Sequence, residues 1–156
     1  MVNVHQLREL IIKPALEDLQ MLSDDAVELL VFTCAVETMG GSFLKQINGP
    51  ALGIYQMEPD TYHDIWQNYL IGKSSLYMRL HTNFDVSRIP DEYRLIYDLR
   101  FATAMARIHY ARVPEVLPQK QDVCALFDYY KKYYNTNQGA AQPTLSIAKY
   151  QTYINN

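Results

Sequence analysis

Cysteine is almost absent: Cys34 and Cys124 are the only two in 156 residues. They are too far apart for a metal or redox pair and too few for a disulfide scaffold. Free cysteine is among the most buried residue types, so both are expected to be buried thiols. Strand signals are equally scarce. No run alternates Val, Ile and Thr with polar residues, and Asn48-Gly49 leads into Pro50 rather than across a hairpin. His5, His63, His81 and His109 show no spacing of a metal site, so neither a metal nor a cofactor is expected. A nucleophile elbow of the G-x-S-x-G kind and a phosphate-binding glycine loop are both missing. Nothing approaches an apolar run long enough to span a bilayer, so no membrane insertion is expected. The first residues, M-V-N-V-H-Q-L-R-E, carry charge early and form no apolar leader, from which we expect synthesis as a soluble protein in a cytoplasm.

Net charge is small as well. At -3, with a pI near 5.7, the chain lacks the clustered Lys and Arg by which phosphate backbones are bound, so nucleic acid is not an expected partner. The charge is uneven: three basic and ten acidic residues stand up to Trp66, eleven and seven beyond it. A basic face for an anionic polymer is thus available in the second half.

What the chain does have is helical periodicity and enough apolar residues for one core, which together give an all-α fold in a single domain over residues 1–156. A first helix is expected over Val4 to Met21, burying Leu7, Leu10, Ile11, Leu16 and Leu19, with Pro14 kinking or splitting it. Ser23 is a natural N-cap for a second, with Asp24 and Asp25 suiting the positive end of the helix dipole. From Leu29 to Val36 that helix is apolar all round, which marks a helix surrounded by protein; Gly40 and Gly41 stop it. A loop over Ser42 to Met57 comes next. Further helices are expected from Pro59 to Leu70, Ser74 to His81, Asp91 to Arg112, Gln121 to Tyr134, and from Pro143 onward.

Glu37 is the residue this pattern singles out. It sits on the last turn of the most buried helix, directly before a glycine pair. Desolvation there disfavours the carboxylate and raises its pKa, so the group can stay protonated near neutral pH and donate to a leaving-group oxygen. Tyr55, Tyr62, Trp66, Tyr129, Tyr130, Tyr133 and Tyr134 are candidates to present ring faces and hydroxyls to a ligand, although more than half are expected to be core.

Three segments occur in series: A-V-E-T-M-G-G from Ala35, G-P-A-L-G-I-Y-Q-M-E-P from Gly49 and Y-Y-K-K-Y-Y-N-T from Tyr129. Together, over about residues 26–141, they resemble the motifs of the lytic transglycosylases, which share a fold with goose-type lysozyme, and most closely the small phage-encoded branch. The resemblance implies a lysozyme-like domain whose buried central helix ends at the catalytic Glu37, followed by Thr38 where the family usually has Ser. Gly53, Tyr55, Gln56 and Met57 would line the cleft, Ile54 and Tyr55 standing where many members have Leu and Met. Tyr134 and Asn135 would match a late Tyr-Asn pair, the Tyr positioning the Glu.

The implied chemistry is cleavage of the bond between N-acetylmuramic acid and N-acetylglucosamine in peptidoglycan. Glu37 would act as acid and then as base, leaving a 1,6-anhydro end. A hydrolase would want a second carboxylate, for which Asp60 and Asp64 are the nearest candidates. The expected partners are peptidoglycan glycan strands and other phage virion proteins of tail, baseplate or interior. The expected location is the virion, with action on the periplasmic wall during genome delivery. A structural virion protein of the same fold with little activity, and a late lysis enzyme, are the alternatives.

Overall fold

The computed structural model describes residues 1–135 and 140–156, and among them it is all-helical, with isolated bridges in place of strands. The N-terminal helix winds as α1 (Val4–Gln6), a π-helical stretch (Leu7–Ile12) and α2 (Lys13–Asp18). Pro14 neither splits nor ends it. A proline ring collides with the carbonyl four residues back, and the wider π turn ahead of it opens that contact. The same change of winding rotates the buried face. Leu7, Ile12, Leu16 and Leu19 are buried and Ile11 half-buried, while Leu10, expected in the core, is 64% exposed.

Helix α3 (Asp24–Thr38) is the axis of the molecule. Ser23 accepts from the N–H of Ala26 at 3.1 Å, and Lys120 donates to both Asp24 and Asp25 in the first turn. Every residue from Leu29 to Val36 is buried, as their unbroken apolarity demands. The helix stops one residue earlier than the glycines suggest: Met39 takes the left-handed seat (φ 51°), and the N–H of Gly40 reaches back to Cys34 O at 3.2 Å.

After the loop come α4 (Pro59–Asp64), π-helical and 3₁₀ turns to Gly72, and α5 (Ser74–Asn83). The single helix expected over Asp91 to Arg112 is two, α6 (Arg94–Tyr97) and α7 (Leu99–Ala111). Asp98 divides them: its side chain accepts from the N–H of Phe101 at 2.9 Å, and a capping Asp competes with continuation of the helix. α8 (Val123–Tyr130) passes into a π-helical turn at Lys131–Asn135, and α9 (Pro143–Ile154) packs back along α3. The first π-helical stretch, α7 and α8 pack against α3 as well and complete its burial. Cys34 is buried but Cys124 is exposed, so the expectation fails for the second thiol; it lies on the outer side of α8, which has a polar face.

Candidate active site

The end of α3 opens into a cleft of about 850 Å³, within the roughly 300–1,000 Å³ of small-molecule sites. Its lining includes Val36 and Glu37 from α3, Phe43 and Ile47 from the loop, and Gln56, Met57 and Glu58 just before α4. His109 of α7, Tyr130, Tyr134 and Asn135, and Leu145, Ser146 and Lys149 of α9 line it as well.

Glu37 leaves an apolar helix with its carboxyl in this cleft. The hydroxyl of Tyr130 donates to Oε1 at 2.7 Å. Burial pushes the carboxyl up to about 7, against the opposing pull of the Tyr130 hydrogen bond and the Lys149 ammonium. Burial also raises Tyr130 and Tyr134 far above the ordinary phenol range, the negative charge of Glu37 adding to it. His109 is pushed down to about 3, by burial first and then by the neighbouring Arg112 guanidinium, so it faces the cleft as a neutral ring. Among the groups lining the site, Glu37 is thus a carboxyl held near neutrality beside two phenols, Tyr130 and Tyr134, that stay protonated.

Thr38 stands behind the cleft rather than on it. It is fully buried, and its hydroxyl donates to Ile54 O at 2.8 Å while accepting from the N–H of Gly41 at 2.9 Å. Being next to Glu37 on a helix it points away from it, and so ties the returning loop to the helix end that carries the acid. Gly53 is likewise behind the wall. Its φ is +74°, and a Cβ there would meet the Leu95 carbonyl oxygen at 2.2 Å, so only glycine fits. A tight turn comes next, closed by Gln56 N to Gly53 O at 3.1 Å and by the Leu52–Met57 bridge, with Gln56 itself at φ 47°. That turn carries Gln56 and Met57 onto the cleft surface. Tyr55, expected to line the cleft, points the other way: it is 1% exposed and its hydroxyl meets that of Thr103 at 3.1 Å.

Tyr134 does line the cleft, but its hydroxyl donates to Tyr55 O at 2.8 Å and the partner of Glu37 is Tyr130. The expectation that Tyr134 positions the acid is thus corrected: the π-helical turn after Tyr130 moves the later tyrosine off that line and onto the loop. Asn135 accepts from the N–H of Ala141 at 3.3 Å and from Lys131 at 2.8 Å, bracing the chain on both sides of the motif. Thr136, the last residue of that segment, lies outside the described residues.

No family model, curated protein or solved structure matches the chain. The chemistry of the cleft therefore carries the functional reading. Of the two carboxylates considered as partners for Glu37, neither lines the cleft, and Asp64 is paired with Arg112 at 2.6 Å. Glu58 does line it. Its position beside Met57, ahead of Pro59, was the available signal, since a residue flanking a cleft-lining turn shares its face of the molecule. Lys149 had no such signal, because α9 carries no motif. Among the described residues no cluster of three or more His, Cys, Asp or Glu gathers as a metal site, and no helix is long and apolar enough to cross a membrane.

Proposed function

We propose that this chain is a peptidoglycan lytic transglycosylase with a lysozyme-like domain. The observation that carries the reading is the carboxyl of Glu37, set in an open cleft, held by Tyr130 and pushed up to about 7. Such a group can give a proton and take one back at the same pH. Glu37 protonates the oxygen joining N-acetylmuramic acid to N-acetylglucosamine as the bond to C1 breaks, with the substrate's acetamido group assisting. The carboxylate then accepts the C6 hydroxyl proton while that oxygen closes on C1. The product is a 1,6-anhydro sugar, Glu37 is restored, and no water is consumed. Gln56, Met57, Tyr134 and Asn135 are the substrate-facing residues of this proposal, with Thr38, Gly53 and Tyr55 supporting them from behind.

The biological setting we propose is a phage virion, where the enzyme would open the wall together with tail, baseplate or internal proteins. Incubation with purified peptidoglycan, followed by mass spectrometry of the released muropeptides, tests the activity. Anhydro ends from the wild type and none from Glu37→Gln are expected; equal release by both would remove Glu37 from its role. A hydrolytic reading is favoured by one observation, the presence of Glu58 on the same cleft, and it would give reducing ends instead.

A further inference from the structure

The last turn of a helix leaves carbonyls without partners, and a cation placed there satisfies them and complements the negative end of the dipole. In α3 the N–H of Gly40 bonds to Cys34 O, so it is not available to Val36 O. Lys149 takes that place: its Nζ donates to Val36 O at 3.1 Å, across 113 residues of chain. The same side chain lines the cleft, one residue of backbone away from the acid. Among the described residues no carboxylate lies in ion-pair contact with Lys149.

Among the described residues, the other groups that face Glu37 bring no positive charge. Tyr130 and Tyr134 face it from α8 and the turn beyond, Tyr110 from α7, and Cys34 from within α3. Across the cleft stand Glu58 and His109, the latter a neutral ring. Lys131 donates to Asn135 and is not among the cleft-lining residues.

We propose that Lys149 is a positioning residue for the reaction at Glu37: anchored on the Val36 carbonyl, its ammonium stabilises the carboxylate that Glu37 becomes once it has given its proton away. The inference rests on the assignment of Glu37 as the acid. In a part-buried site the newly formed carboxylate otherwise accepts, among the described residues, from the neutral Tyr130 hydroxyl, and a fixed positive charge costs no reorganisation when the charge develops.

Lys149→Gln separates this role from capping, because the amide can still donate to Val36 O but carries no charge. Lys149→Met loses both, and Lys149→Arg keeps both. Isotope-edited NMR of the Glu37 carboxyl, assigned with Glu37→Gln, needs no substrate and reads the coupling directly. In Lys149→Gln the carboxyl is expected to titrate at higher pH than in the wild type, with Lys149→Arg close to wild type. On peptidoglycan, kcat of Lys149→Gln is expected to fall about tenfold with KM nearly unchanged, and its alkaline limb to move to higher pH. An unmoved carboxyl titration in folded Lys149→Gln would overturn the inference and leave Lys149 as a cap, destabilising only when changed to Met. If the wild type releases no muropeptides, the proposed function fails, and the titration still decides whether Lys149 acts on Glu37.

Discussion

The hydroxyl of Tyr130 donates to Oε1 of Glu37 across 2.7 Å, joining the end of α8 to the end of α3. That bond favours the charged carboxylate and opposes the burial that disfavours it. Tyr130→Phe removes the donor and leaves the ring. The Glu37 carboxyl is then expected to titrate at higher pH, and kcat to fall by roughly one to two orders of magnitude. Steady-state rates against pH for both proteins check this, the alkaline limb moving upward in the variant.

The raised pKa of Glu37 has a stability consequence of definite sign. The native state binds a proton that the unfolded state has released between pH 4.5 and about 7, so stability falls as pH rises through that window. Below pH 4.5 both states are protonated and the group is neutral in its effect; above about 7 the loss is complete, of the order of 3 kcal/mol. Glu37→Gln should therefore be more stable than the wild type at pH 8 and nearly equal to it at pH 4, as read by urea midpoints across the range. A constant difference at both pH values would contradict the desolvated placement of this carboxyl.

Thr38 and Gly53 build the loop that presents Gln56, and each offers a test that avoids the reacting groups. Thr38→Val keeps the shape but strands the buried Ile54 carbonyl and removes the acceptor of the half-buried Gly41 N–H, costing about 1–3 kcal/mol. Thr38→Ser restores the hydroxyl and should recover most of that loss in thermal unfolding.

Gly53→Ala places a methyl group against the Leu95 carbonyl at a positive φ, and a loss of about 2–4 kcal/mol is expected. Because the turn also aims Gln56, any folded variant should show a raised KM on glycan strands. A Gly53→Ala protein of wild-type stability and KM would mean that the turn does not need its glycine.

Helix α3 was legible because its signals agree: a capping Ser23, two acids in the first turn and an apolar run that can only be interior. Glu37 emerged from the same pattern, since a carboxyl at the end of such a run is costly without a use. Periodicity misses winding that departs from 3.6 residues per turn. The π turns at Leu7–Ile12 and Lys131–Asn135 rotate the residues within and beyond them, which hid the exposure of Leu10 and left Tyr130 rather than Tyr134 bonded to the acid. Asp98 was readable as a cap but sits inside a pattern that is helical on both sides. Lys149 and the α9 wall depend on long-range packing of a helix with no motif of its own, so nothing local marks them.

The claim that one carboxyl does the work without water is tested most directly by digesting peptidoglycan in heavy-oxygen water and weighing the new chain ends. The proposed reaction gives anhydro ends that carry no label, lost in Glu37→Gln and retained in Glu58→Gln. Labelled reducing ends, disappearing when Glu58 is changed, would show a water-consuming hydrolase with two essential carboxylates and would contradict it.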